Sequence, residues 1–346
     1  MPFPRLGEPL GRSLALPLGT LLQSGGASII PPTITSSGSL AAAEVGIPQT
    51  WTALECDDGG GTVTWSIESG APTGLSINAS TGVPSYDGSL TTNQTYGSIV
   101  VRATNEAGYD EETFSMVLAY TPLSEGFAHW QRADQSRGAI AGTGSAPADT
   151  EPIGWLADLI AGTNPCRAED DGGKPAYVAS AINGKPALVF DGTTDRLLFD
   201  AAWATGNDDY YFFVVARRAA NKNAWLSGKN QYSAVMGSNS TNRIWALDDA
   251  VAGNIFTCET WGTAFKAVRI TRNGTNLNVK IGANSYGPFT IGSGNMTWRC
   301  IGYYFDGLNQ WGDFKIAEYG HLSSTPDAAA ISRIEAYLNT RYGLTV

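Results

Sequence analysis

The chain is poor in charged residues. Only 16% of its 346 residues are Asp, Glu, Lys or Arg, where an ordinary globular domain carries about 25%. The balance is acidic, with 32 acidic against 22 basic side chains and a net charge of −10. Binding a nucleic acid needs clustered Lys and Arg that displace its counterions, and no basic stripe is visible. The composition therefore argues against a nucleic-acid partner.

Cysteine and histidine are scarce. The chain has 4 cysteines, none in a Cys-x-x-Cys spacing, and 2 histidines. A structural zinc site draws four ligands from such residues at short spacings, so none is expected. Free, buried thiols are the first interpretation of the cysteines. A disulfide between Cys258 and Cys300 is the alternative, because both could lie on neighbouring strands.

Long apolar runs are also missing. The longest candidate, residues 14–22, contains Pro17 and Gly19 and is much shorter than the roughly 18 residues that span a bilayer. No membrane contact is expected.

Glycine and aromatic residues are abundant instead. There are 41 Gly, with 10 Trp, 14 Tyr and 12 Phe. Disorder needs high net charge and few aromatics, and coiled coils need Glu, Lys and Ala, so both classes are excluded. The composition predicts an all-β chain, and the length predicts two domains.

Residues 1–28 repeat a Pro-Leu-Gly unit. Proline removes backbone donors and glycine adds backbone freedom, so no regular helix is expected. We interpret the segment as an extended docking peptide held by a partner protein. A signal peptide, suggested by arginines before an apolar stretch but lacking an Ala-x-Ala site, and a plain tail are the alternatives. The candidate docking side chains are Arg5, Leu6, Leu10, Arg12 and Leu18.

Residues 29–121 consist of short β runs separated by Gly, Asn, Ser and Pro, which is typical of a small β-sandwich. Gly74-Leu-Ser-Ile-Asn-Ala-Ser-Thr-Gly82-Val and Ile99-Val-Val-Arg-Ala-Thr-Asn-Glu-Ala-Gly108 resemble the immunoglobulin-like, cadherin-like repeats of bacterial and phage surface proteins. The resemblance implies a spacer module. Its cadherin-like relatives often bind calcium, but the Asp-x-Asp spacing is missing here, so solvated loop carboxylates are the better interpretation.

Residues 122–346 contain many more apolar β runs and little helix, which predicts a double-sheet jelly roll. Ile182-Asn-Gly-Lys is a two-residue hairpin signal. Near the end, apolar residues recur at helical spacing after Pro326, and Gly343 is a plausible stop. We therefore predict a closing helix over residues 326–340.

The same region resembles the concanavalin A-like superfamily in its laminin-G-like bacterial and phage form. The resemblance is carried by Gly184-Lys-Pro-Ala-Leu-Val-Phe-Asp-Gly, Phe212-Phe-Val-Val-Ala-Arg and Ile334-Glu-Ala-Tyr-Leu-Asn-Thr-Arg-Tyr-Gly-Leu344. This superfamily spans lectins, hydrolases and inert spacers, so the resemblance implies a fold but not a ligand.

Hydrolase chemistry is not expected. Superfamily hydrolases carry paired carboxylates on one strand as Glu-x-Asp-x-(x)-Glu, and no such motif occurs. A Ser-His-Asp arrangement has only His129 and His321 to draw on, and a structural role is expected for His321. We predict that the protein is not an enzyme and needs no cofactor.

Glycan binding is the favoured class. Sugar faces stack on aromatic rings while sugar hydroxyls bond amides and carboxylates. Three segments combine these groups, the densest being residues 303–311, whose rings could equally fill the core or a subunit interface. By analogy with lectins, Asp248 or Asp306 could instead bind calcium. The candidate residues are Trp225, Tyr232, Trp245, Asp248, Tyr303, Tyr304, Asp306, Asn309 and Trp311.

Together the two resemblances imply a phage virion protein. Residues 1–28 would dock onto other virion proteins, and residues 29–121 would act as a spacer. Residues 122–346 would bind a host-surface or environmental glycan. The protein would be part of a tail fibre or a head decoration. We expect a homo-oligomer or a larger assembly. A purely structural virion subunit and a secreted bacterial adhesin are the alternatives.

Overall fold

The computed structural model describes residues 28–160, 164–204, 209–218, 226–227, 234–236, 244–245, 255–256, 258, 263–290, 297–304 and 310–346. These residues form β-strands in several sheets, with one α-helix near the end. The predicted all-β class with a closing helix is therefore confirmed. The predicted docking residues Arg5, Leu6, Leu10, Arg12 and Leu18 lie outside the described residues.

Residues 28–121 form a first module with its own core. Its strands are β1 (Thr33–Ile34), β2 (Ala43–Glu44), β3 (Gln49–Thr50), β4 (Cys56–Asp57), β5 (Thr64–Ser69), β6 (Leu75–Ile77), β7 (Pro84–Tyr86), β8 (Gln94–Asn105) and β9 (Gly108–Ala119). One sheet has the order β2-β9-β8-β5 and another the order β3-β7-β6. Trp65 and Phe114 from the first sheet and Tyr86 from the second share one buried cluster. Alternating apolar residues on β8 and β9 supply half of the buried residues of this core.

The second module is larger. Its elements are β10 (His129–Arg132), β11 (Ser136–Arg137), β12 (Trp155–Leu156), β13 (Cys166–Arg167), β14 (Ala176–Ile182), β15 (Lys185–Asp191), β16 (Leu197–Ala204), β17 (Asp209–Arg218), β18 (Leu226–Ser227), β19 (Ala234–Met236), β20 (Ile244–Trp245), β21 (Ile255–Phe256), β22 (Lys266–Asn273), β23 (Asn276–Ile281), β24 (Asn284–Thr290), β25 (Thr297–Ile301), β26 (Tyr303–Tyr304), β27 (Gln310–Trp311), β28 (Asp313–Leu322) and helix α1 (Ala328–Tyr342). The main sheet has the order β14-β15-β28-β17-β22-β23-β24, and β10 also pairs with β28. A second sheet has the order β11-β12-β13-β16-β25-β18-β19.

Strand β17, in the middle of the main sheet, is buried on both faces. Phe212 and Val214 point into the core between the two sheets, whereas Phe213 and Val215 belong to a second core under α1. Successive side chains of a strand alternate between faces, so a strand covered on both sides is an unbroken apolar run. This run is the segment that the sequence presents as Tyr-Tyr-Phe-Phe-Val-Val-Ala.

The hairpin between β14 and β15 forms as expected. Ile182 pairs with Lys185, and the two turn residues Asn183 and Gly184 both have positive φ, at 46° and 69°. Such a turn matches the twist of its flanking strands, and Asn-Gly adopts it readily.

The closing helix is shifted from the predicted residues 326–340 to Ala328–Tyr342. The Asp327 carboxylate accepts a hydrogen bond from the Ala330 amide at 2.7 Å and caps the helix, so Pro326 precedes the cap instead of starting the helix. At the other end Gly343 adopts φ 63° and terminates it, as predicted. Ile334 and Leu338 are fully buried on the face toward the main sheet.

All four cysteines are free thiols, and Cys166, Cys258 and Cys300 are buried. The alternative of a Cys258–Cys300 disulfide is therefore wrong for this structure. In the part of the chain that is described, no helix has the length and apolarity to cross a membrane.

The two modules are joined by buried ion pairs. The carboxylate of Glu44 on β2 accepts one hydrogen bond from Arg132 and one from Arg341, each at 2.7 Å. Both arginines are buried and also donate to Asp134. Burial works against the charged carboxylate, but the two guanidinium groups lower the pKa of Asp134 to about 2. Buried charges are tolerated only when paired, so this cluster fixes how the modules meet.

Candidate functional site

Two of the predicted glycan-binding aromatics lie side by side. Tyr303 and Trp311 are directly opposite each other on β26 and β27, and their ring centroids are 4.6 Å apart with a 52° angle between the planes. Directly opposed residues of an antiparallel pair project from the same face. Tyr303 is only 6% exposed, whereas Trp311 is half-buried. Trp311 is therefore the part of this pair that solvent reaches.

The Arg196 guanidinium lies over both rings. Its central carbon is 5.4 Å from the centroid of Tyr303 and 5.4 Å from that of Trp311, within cation–π range. Arg196 also forms an ion pair with Glu169, which is half exposed. The three side chains with Glu169 make a surface of aromatic ring, planar donor and carboxylate, which we call the Trp311 surface.

A tight turn supports this surface from below. The Asp191 carboxylate accepts hydrogen bonds from the amides of Thr193, Thr194 and Asp195. Although burial opposes its charge, these bonds and that of the Thr193 hydroxyl lower the pKa of Asp191. Asp195 accepts from the Asp191 amide at 2.9 Å. Burial, together with the Asp191 charge, raises the pKa of Asp195 to about 7. Both carboxylates are thus committed to holding the turn.

Gly302 locks the aromatic pair onto that turn. It has φ 95°, and an added Cβ would lie 2.4 Å from the Phe190 ring and 2.7 Å from the Asp195 carbonyl oxygen. Its own carbonyl accepts from the Gly312 amide at 2.8 Å. A residue without a side chain is needed here for both backbone conformation and space.

The other predicted candidates are not placed by the structure. Only the backbones of Tyr304, on β26, and Trp245, on β20, are described. Five further candidates lie outside the described residues: Trp225, Tyr232, Asp248, Asp306 and Asn309. Among the residues that the structure does describe, no three His, Cys, Asp or Glu side chains are grouped so as to hold a metal ion.

The two histidines are part of the framework. His321 on β28 pairs with His129 on β10, and their rings stack at 6.3 Å. Burial, with the neighbouring His129, lowers the pKa of His321 to about 3, so this imidazole stays neutral. His129 Nδ1 lies 3.0 Å from the Asp158 carboxylate. The expected structural role of His321 agrees with this complete burial.

A cleft lies along the junction between the two modules, and no sequence pattern predicted it. Two adjoining hollows of about 460 and 520 Å³ share Asn93, Tyr120 and Arg333 in their walls. Arg333 donates to both carboxylate oxygens of Glu125, at 2.7 and 2.9 Å, and the Tyr120 hydroxyl donates to the same carboxylate at 2.9 Å. Arg333 and Glu125 are 208 positions apart in the chain, so only the fold brings them together.

Arg196 and Glu169 were also missed by sequence reasoning. The available signal was Asp191-Gly-Thr-Thr-Asp195, whose short polar side chains are typical of a turn that caps its own amides. Such a turn positions the residue that follows it, which is Arg196.

No protein-family model matches the chain, and no curated protein matches it. Similar solved structures include the fourth domain of an extracellular arabinanase from Geobacillus stearothermophilus in complex with arabinotriose, at 11% identity and TM-score 0.36, covering 49% of this chain and 84% of that one. A sialidase from Trypanosoma rangeli in complex with sialic acid has 9% identity and TM-score 0.37, covering 74% and 48%. A candidate α-galactosidase from Bacteroides fragilis has 20% identity and TM-score 0.22, covering 27% and 19%.

These neighbours are β-structured domains of carbohydrate-active or carbohydrate-binding proteins. The chain spans less than a fifth of the galactosidase and about half of the sialidase. At such identities and TM-scores the similarities do not assign a function, which has to be argued from the site.

Proposed function

We propose that the protein is a non-enzymatic structural protein of a bacteriophage virion, docked through residues 1–28, that displays a glycan-binding surface on its second module. The glycan part rests on one observation, the Trp311 surface. The virion part rests on the resemblance of the two modules to phage surface proteins and on the Pro-Leu-Gly composition of residues 1–28.

The Trp311 surface has the chemistry that sugar binding needs. The half-buried indole offers its solvent-accessible part to a pyranose ring, while Arg196, which lies over the indole, supplies donors and Glu169, which is paired with Arg196, supplies acceptors. Gly302 and the Asp191–Asp195 turn hold these groups in place, so little side-chain freedom is lost on binding. We infer that this surface contacts one or two sugar units of a longer chain.

Hydrolysis is not part of the proposal. Asp191 and Asp195 have pKa values shifted in opposite directions, as an acid and a base would. However, the Asp191 oxygens are occupied by the amides and hydroxyls of its own turn, and Asp195 is only 8% exposed. Both carboxylates are therefore engaged in holding the turn, and we assign neither of them a role in hydrolysis.

The test is a glycan array with the full chain, followed by calorimetric titration of each glycan that binds. Trp311→Ala should weaken binding at least about 10-fold, the effect of losing one well-placed aromatic anchor. Tyr109→Ala is the matched control, because Tyr109 also lies under an arginine, Arg102 at 4.4 Å, but on the first module and exposed. Equal binding by the two variants, or no binding to any host polysaccharide, would favour the alternative that the protein is a purely structural virion subunit.

The docking role has a separate test. Mass spectrometry of the mature protein should find residues 1–28 intact. A mature chain that starts after this segment would contradict docking and would favour the secreted adhesin.

A further inference from the structure

A pocket that contains several charged and polar side chains lies between α1 and the edge of the main sheet. It has a volume of about 390 Å³ and is bounded by the helix on one side and by β22, β23 and β24 on the other. The helix contributes Ala328, Ile331, Ser332 and Glu335, whose spacing places them on one helical face. The pocket belongs neither to the Trp311 surface nor to the module junction.

The strand pattern of β22 explains how an arginine and a threonine come to line the pocket. Val268 and Ile270 point into the core between the sheets. Arg269 and Thr271 alternate with them and therefore point to the helix side, where both line the pocket. The Arg269 residue is 2% exposed, so a full positive charge is buried at this position.

One carboxylate serves two cations there. Glu335 Oε1 accepts from Arg269 Nη1 at 2.6 Å and from Lys280 Nζ at 2.8 Å. Together these three groups carry one excess positive charge at the pocket wall. The other ionisable groups that line it are the phenols of Tyr211 and Tyr286. An anionic ligand would complete the charge balance.

Two buried donors at the same place lack an acceptor. The Tyr211 hydroxyl and the Arg269 Nε have no hydrogen-bond partner among the described residues. Tyr211 is 1% exposed, and burial raises its pKa, so the phenol keeps its proton and can donate. Tyr211 lines the pocket together with Arg269 and Glu335, so the phenol shares this space with the ion-paired cluster. Buried polar groups are nearly always satisfied in folded proteins, so these donors indicate a ligand acceptor.

We propose that this pocket binds the carboxylate of an acidic sugar, a hexuronate unit. The carboxylate would accept from Tyr211 and Arg269 and balance the excess charge, as guanidinium groups favour planar anions. The sugar hydroxyls would meet Asn278, Ser285 and Ser332, which also line the pocket. The choice of a sugar over another small carboxylate rests on the proposed glycan-binding function. The excess positive charge and the two donors without acceptors support the binding of a carboxylate.

The test is calorimetric titration of the full chain with glucuronate, using glucose as the neutral probe. The wild-type chain should bind glucuronate at millimolar or lower concentration and bind glucose at least about tenfold more weakly. Tyr211→Phe should weaken glucuronate binding at least about tenfold while leaving the melting temperature of the free protein unchanged or higher, because it removes a hydroxyl that has no partner. Glucuronate binding that is absent, equal in Tyr211→Phe, or matched by glucose would overturn the proposal.

Trp311→Ala separates this pocket from the proposed function. The variant should lose binding on the glycan array and still bind free glucuronate with the wild-type affinity. If Trp311→Ala abolished glucuronate binding, the ligand would be on the Trp311 surface and the pocket proposal would fail. If array binding were absent and glucuronate binding persisted with its dependence on Tyr211, the Trp311 surface would fail and the pocket would stand.

Discussion

The ion pairs at the module junction lead to a quantitative prediction for Glu44→Gln. Glu44 is the acceptor that the first module contributes to this cluster, and its two oxygens serve one arginine each. A hydrogen bond to a charged group contributes about 1.5–3 kcal/mol. The amide oxygen of glutamine can keep one of the two bonds, and Asp134 still neutralises part of the charge. We expect a loss of about 2 kcal/mol in the free energy of unfolding.

Urea titration of the full chain, followed by tryptophan fluorescence, measures this loss. The matched control is Glu68→Gln, because Glu68 pairs with Arg102 at 3.1 Å on the surface of the first module, where both side chains are 31% exposed. Exposed pairs contribute about 0–1 kcal/mol. If the two variants lost the same free energy, the cluster would not hold the modules together and its burial would have no energetic consequence.

Three further predictions concern the second module. Each of them is tested by measuring the unfolding of the full chain. Leu338→Ala on α1 should lose about 2–5 kcal/mol because the side chain is fully buried against the main sheet; a loss under about 1 kcal/mol would show that the helix is not packed there. Gly302→Ala should lose more than about 1 kcal/mol and weaken glycan binding, since the added Cβ meets Phe190 and the Asp195 carbonyl; wild-type stability would refute this clash. Asp195 has a folded pKa of about 7 against 3.8 as its ordinary value, so the folded state binds more protons between these values and stability should fall as pH rises through this window. Asp195→Asn should flatten this dependence, and an unchanged pH profile would rule out Asp195 as its source.

Local sequence signals predicted the strands and the helix well because interactions between residues close in the sequence determine them. The apolar run on β17 and the helical spacing before Gly343 each reflect contacts within a few residues or the burial of one face. Gly343 terminates α1 as predicted, although the helix runs two residues beyond the predicted end at 340. Its start moved because Asp327 caps the helix by accepting from the Ala330 amide.

The functional groups were harder to predict because their partners are distant in sequence. Tyr303 and Trp311 were predicted because they lie in one short segment that combines aromatic with polar residues, but Arg196 comes from a distant part of the chain. Glu44 and Arg341 are separated by 297 positions. The pocket between α1 and the main sheet combines an arginine of β22 with a glutamate of α1. No periodicity or short motif encodes such pairings, which arise only when the sheet and the helix are assembled.

Strand β28 sets a constraint on how the chain is made. It pairs with β10, β15 and β17, which occupy its two edges, yet all three of these strands precede it in the chain and leave the ribosome before it does. The first module, whose strands lie within residues 33–119, can close its sheets early, since domains fold as they emerge. The main sheet of the second module must wait for Asp313–Leu322, and until then β15 and β17 have open edges. A chain cut short before Asp313 should therefore aggregate through those edges while its first module still folds.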